Sequence, residues 1–204
     1  MKKQFLLLVA IGFILTSMQS CAVSSASTIE DVPASTTSKE TNSQCYVEMK
    51  DGTIHHFKSL KLVTGIFTSP HLLANGKEKI NAGNIKAYQN ADHYAISQDQ
   101  FKDNVRSKSA VETLPGFAVR IAQGKLNVYC KKYFNGSATA EQLFVQKEEG
   151  GEIFAFTPDV MAGLLKDYPE AAEFFEASKK MTPVSKRLQA TVNKMNKEQF
   201  LSKN

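Results

Sequence analysis

A chain of 204 residues, 42% hydrophobic and 22% charged, is long enough for one substantial core and too short for two ordinary independent domains. Its net charge of +5, part of it on Lys2 and Lys3, is too mild to indicate nucleic acid or any other polyanion as a partner. With 13 phenylalanines and no tryptophan, the core is expected to be phenylalanine-rich. The charge is unevenly placed: nine acidic and two basic residues fall between 141 and 176, and a basic tail with Glu198 as its one acid follows from 179.

Residues 1–20 have the three parts of an export signal: Lys2 and Lys3, an apolar run over 5–15, then small or polar residues. The run is shorter than the roughly twenty apolar residues a spanning helix needs. Met18-Gln19-Ser20-Cys21 resembles a bacterial lipobox, which makes Cys21 the expected lipidated amino terminus; Met18 and Gln19 depart from the usual pattern. Ordinary cleavage after Ser24 or Ala26 is the competing reading. Residues 21–43 form a leader: 14 of positions 22–43 are Ser, Thr, Ala or Pro, a composition that cannot offset its own ordering entropy. It reads as a tether between a lipid anchor and a folded body.

The body is expected over residues 44–156. Cys45, Val47 and Met49 alternate with Tyr46, Glu48 and Lys50, and Asp51-Gly52 is a strong hairpin signal leading to a return strand over 53–58. The meander continues through 60–63, whereas 67–75 reads as loop or edge before the Asn75-Gly76 turn. Ile80, Ile85, Ala87 and Tyr88 lie in short segments around Gly83, and residues 93–97 follow Asn90-Ala91-Asp92. Residues 99–112, polar and basic, read as an exposed excursion. The clearest pattern is the hairpin over 116–134, with Phe117, Val119 and Ile121 on one face of the first strand and Leu126, Val128 and Cys130 on one face of the second. Asn135-Gly136 and Glu149-Gly150-Gly151 punctuate two further strands.

From 157 the period changes to that of helices. Thr157-Pro158-Asp159 and Thr182-Pro183 are start signals, and Asp167-Tyr168-Pro169-Glu170 ends one helix and begins another. Val184, Leu188, Val192 and Met195 make the third apolar stripe; Asn196 with Gln199 resembles a capping box that would open a further turn. The expected fold is therefore α+β: a mainly antiparallel β meander, as a sandwich or partly open barrel, with two or three C-terminal helices over 157–204 packed on it.

The hairpin at Met49-Lys50-Asp51-Gly52, the β-rich middle and the helix pair at residues 167–170 resemble uncharacterised secreted proteins and lipoproteins of the Bacteroidota type, over residues 44–175. The resemblance implies a compartment and an architecture; it implies no activity and assigns no site residue.

Local chemistry is sparse. His55 and His56 are neighbours on a strand and point to opposite faces, His71 and His93 stand apart, and neither Cys-x-x-Cys nor His-x-x-x-His spacing occurs. There is no Gly-x-Ser-x-Gly elbow and no glycine-rich phosphate loop. No metal, cofactor or catalytic residue is expected. Cys130 could pair with a histidine as a thiol nucleophile, but Cys45 and Cys130 are the two cysteines left in an exported body, so a structural disulfide is the expectation, worth about 4–5 kcal/mol by chain entropy. The functional expectation is a non-catalytic binding or structural lipoprotein of the cell envelope, anchored in membrane lipid and taking an unknown protein or small-molecule ligand. Its alternative is a secreted hydrolase-like enzyme whose site is assembled from distant loop residues. Metabolic labelling with a palmitate analogue is expected to mark the wild-type chain and not Cys21→Ala; equal labelling of the two overturns the anchor.

Overall fold

The computed structural model describes residues 45–65, 67–102 and 111–201, so the signal, the leader with Cys21, and most of the excursion over 99–112 lie outside the described residues. The described fold is α+β. Eight antiparallel strands form the main sheet: β1 (Cys45–Met49), β2 (Ile54–Phe57), β6 (Ile85–Gln89), β7 (Tyr94–Ser97), β8 (Phe117–Ala122), β9 (Leu126–Phe134), β10 (Thr139–Lys147) and β11 (Ile153–Ala155). Their spatial order is β11-β10-β9-β8-β7-β6-β1-β2. Between β2 and β6 the chain leaves this sheet to make a second one of three strands, β3 (Leu60–Val63), β4 (His71–Ala74) and β5 (Glu78–Asn81), then returns on the far side of β1. Helices α1 (Pro158–Leu164), α2 (Pro169–Ala177) and α3 (Val184–Leu201) follow.

Turn chemistry sets the hairpins. Gly52 has φ +87°, a conformation that side chains with a Cβ rarely adopt, and the Asp51 carboxylate accepts the Thr53 amide at 2.9 Å, which together close the β1–β2 turn. The segment read as loop over 67–75 contains β4, a central strand whose His71, Leu72 and Ala74 are buried. Burial on both faces removes the alternation by which a strand is recognised.

Side-chain parity divides the main sheet into two faces. One face packs against the small sheet, where Cys45, Val47, Tyr88, Ala95 and Phe117 meet Leu60, Leu72 and Ala74. The same face then packs against the helices, where Leu126, Val128, Cys130, Leu143 and Val145 meet Met161, Leu165, Phe175, Leu188, Val192 and Met195. The opposite face holds Ile96, Ala118, Tyr129, Phe144 and Ile153, covered in part by Phe101 from the segment after β7. A bridge between Phe101 and Ile153 ties that segment to β11, but the sheet is not closed into a barrel.

The helices are fixed by both caps and apolar stripes. The Thr157 hydroxyl accepts the Val160 amide at 3.1 Å, and Pro158 and Pro169 occupy the first positions of α1 and α2. Leu188, Val192 and Met195 lie one and two turns apart on the buried face of α3. The Asn196 amide does not open a new helix. It lies within a continuous α3 and donates to the Gln123 carbonyl at 2.9 Å, which docks the helix on the β8–β9 turn.

The structure does not bring Cys45 and Cys130 together. Both are buried free thiols. They sit on β1 and β9, four positions apart in the strand order, about 19 Å at the usual inter-strand spacing, whereas a disulfide needs Cα atoms within roughly 7 Å. Period-two reasoning put both on the apolar face correctly; the strand order separates them. Alkylation of the unreduced, unfolded chain is expected to modify both residues. Burial pushes the Cys130 thiol up to about 12, so it should stay unmodified in the folded chain. Recovery of a peptide linking the two would contradict this arrangement.

Candidate ligand-binding groove

Two features bend the main sheet, and both place a charge. Glu48 pairs with Ala87 and Met49 with Ile85, so Lys86 is an extra residue bulged out of β6. Arg120 pairs with Tyr129 and Ala122 with Val128, so Ile121 is bulged out of β8 beside Arg120. Bulges increase twist and re-aim side chains. The Ile121 carbonyl, outside the regular ladder, accepts the Gln189 side-chain amide of α3 at 3.0 Å.

The result is a groove of about 490 Å³ on the face away from the helices. One wall is Glu48 of β1 with Lys86 of β6; the other is Gln146 of β10 with the turn over 149–152 and Ile153 of β11; Tyr94, Ile96 and Tyr129 of the intervening strands make the floor, and Gln100 also lines it. In a flat sheet β1 and β10 would stand about 24 Å apart, so a shared groove of this size requires the sheet to coil around it.

Its polar groups are held by one another. Lys86 Nζ donates to Glu48 Oε1 at 2.6 Å. The Arg120 guanidinium lies 4.1 Å from the centroid of the Tyr94 ring and reaches Glu149 at 3.3 Å. Tyr129 Oη and Asn127 Nδ2 donate to Gln146 Oε1 at 2.7 and 3.1 Å, and Gln146 Nε2 donates to the Gly151 carbonyl at 2.8 Å. Gln146 therefore links the floor to the rim turn. Gly151 is required there: a Cβ would sit 2.3 Å from the Lys147 carbonyl oxygen. Burial pushes the Tyr46, Tyr94 and Tyr129 hydroxyls above their ordinary range, which keeps them protonated donors at neutral pH.

Deeper on this face Lys131, 1% exposed, donates to Gln98 Oε1 at 2.8 Å. Burial pulls its ammonium down to about 8. None of these residues is marked out by sequence alone. A hydrophobic-in, polar-out reading assigns Asn127, Tyr129, Lys131 and Gln146 to solvent, and the signal available was the second bulge, which carries no residue signature.

The four histidines do not converge. His55 and His56 are exposed on edge strand β2, and His71 is buried on β4 with Nδ1 2.9 Å from the Ser69 carbonyl. His93 is half-buried 3.3 Å from the Tyr88 hydroxyl, in a second cavity of about 770 Å³ that Cys45 and Glu112 also line. Among the described residues no three His, Cys, Asp or Glu side chains are grouped to hold a metal, and no helix is long and apolar enough to cross a membrane. Comparison of the chain with protein-family models, curated proteins and solved structures finds no match.

The buried lysine makes stability depend on pH with a definite sign. Between about pH 8 and pH 10.5 the unfolded chain holds a proton that folded Lys131 has lost, so this residue's contribution to stability rises with pH across that window. Subtracting Lys131→Met from wild type cancels the opposing titration of Cys130 and the tyrosines. Any Tm advantage of Lys131→Met at pH 7 is therefore expected to shrink by at least about 2 °C by pH 10.5; parallel Tm profiles would show that Lys131 is charged throughout.

Proposed function

We propose that this protein is an exported, non-catalytic binding protein of the cell envelope, tethered to membrane lipid through Cys21, that holds a small polar ligand in the groove on the open face of its main sheet. One observation carries the reading. Tyr129 and Gln146, which line the groove, and Asn127, which is bonded to Gln146, are buried polar groups at positions where apolar side chains would stabilise the sheet more simply. Such groups cost stability unless every one is paired, and here they are paired into a network that reaches the groove rim.

The arrangement favours a ligand rich in hydroxyl groups. Tyrosine rings offer flat apolar surface, while the Glu48 and Glu149 carboxylates accept and the Lys86 ammonium and Gln100 amide donate. The two ion pairs hold these side chains in place before a ligand arrives, which lowers the ordering cost of binding. A short saccharide is the test case. A leader of the kind read over 21–43 would let the groove stand off the membrane that anchors it.

Calorimetry with a panel of neutral mono- to tetrasaccharides is expected to find binding that Tyr94→Ala and Glu48→Gln each weaken by at least about tenfold, or 1.4 kcal/mol. Lys58→Ala, outside the groove, should change nothing. Absence of binding across the panel, or binding indifferent to both groove variants, overturns the reading.

A further inference from the structure

The second cavity lies along a strand edge that no described strand pairs. The small sheet has the order β3-β4-β5, so β3 pairs with β4 on one side and with no described strand on the other. The phase of its ladder is fixed at its start. The Asn75 amide donates to the Ser59 carbonyl at 2.9 Å, and the Ser59 amide donates back to Asn75 Oδ1 at 3.2 Å. The register continues as Leu60 with Ala74, Lys61 with Leu73 and Leu62 with Leu72. Because hydrogen-bonding direction alternates along an antiparallel strand, Lys61 and Val63 face β4, and the backbone N–H and C=O groups of Leu60 and Leu62 face away from it.

That side of β3 lines the cavity of about 770 Å³, of which the five consecutive residues 58–62 form one wall. The facing wall is the β6–β7 turn over 90–93 together with Cys45 and Glu112. We propose that this slot takes a peptide segment in extended conformation, added antiparallel or parallel to β3 as a fourth strand of the small sheet. Two donors and two acceptors spaced along about 7 Å of strand, in the alternation of an extended backbone, are a recognition element that a peptide backbone matches and a compact small molecule does not.

Side-chain parity gives the slot a preference. Leu60 and Leu62 point inward with Cys45, while Lys61 is exposed on the outer face. In an added strand the residues opposite Leu60 and Leu62 would point toward Cys45 and Ala91, and the residue opposite Lys61 would share its face. The preferred segment is therefore apolar, acidic, apolar. This site is separate from the groove, and its residues take no part in the network there.

The probes are acetyl-Thr-Val-Glu-Val-Thr-amide and its counterpart with Lys in place of Glu, titrated into the 15N-labelled full chain. The acidic peptide is expected to shift the Leu60 and Leu62 amides and to bind better than the basic one. Lys61→Glu should reverse that order, by roughly two- to fivefold each way. Leu62→Pro removes a donor that β4 does not use and should weaken both peptides by at least about fivefold. If the proline variant unfolds, the charge reversal at exposed Lys61 decides the matter alone. Unmoved Leu60 and Leu62 amides at millimolar peptide, or a charge preference that Lys61→Glu leaves unchanged, overturns the proposal. So does a concentration-dependent dimer that Leu62→Pro abolishes in a chain that binds neither peptide, since the edge would then serve a second copy.

Discussion

Everything in this fold passes through strand β9, because it is buried on both sides while its sequence alternates. Leu126, Val128 and Cys130 face the helices, and Asn127, Tyr129 and Lys131 face the other way, yet all six are shielded from water. The first set drives collapse in the ordinary manner, by removing apolar surface from water. The second set is a constraint rather than a driving force: each polar group must find a partner or destabilise the fold. Gln146 satisfies two of them at once, and Gln98 takes the lysine. The positions of β10 and of the short turn after β7 are thus specified by polar pairing as well as by packing.

That double demand explains the curvature. A sheet that buried only its helix face could remain open and gently twisted, as antiparallel sheets with one wet face do. Here the second face is curled by bulges at Lys86 and Ile121 and crossed by the segment carrying Phe101, so its polar residues lie around a groove instead of on a plain. The charges that the bulges place, Lys86 and Arg120, are the ones that pair with Glu48 and Glu149 of the groove lining. Backbone irregularity and site electrostatics have one cause.

Much of the architecture was legible in the residues because turns and caps are local. Asp51-Gly52, Asn75-Gly76, Asn135-Gly136 and the proline-led starts of α1 and α2 mark their elements with chemistry that works at short range. What was not legible depends on strand order. Parity correctly assigned Cys45 and Cys130 to an apolar face, but pairing them required knowing that three strands intervene. The helix-like start at Asn196 was overridden because its side chain is used on the Gln123 carbonyl, a contact 73 residues away in sequence. β4 escaped notice for the opposite reason: its burial leaves it no alternation. The groove was hidden because its polar residues are individually ordinary, and only the coiling of the sheet gathers them.

The clustering of tyrosine in that groove has an optical consequence. The chain has six tyrosines and no tryptophan. With no indole to mask them or drain their excitation, the phenols dominate the near-ultraviolet emission of the whole protein. Tyr94 and Tyr129 form the groove floor, and Tyr46 shares the electrostatic field of Arg120 and Glu149. A sizeable part of the intrinsic signal therefore originates beside one site, and the unmodified molecule carries its own spectroscopic reporter at the place where its buried polar groups converge.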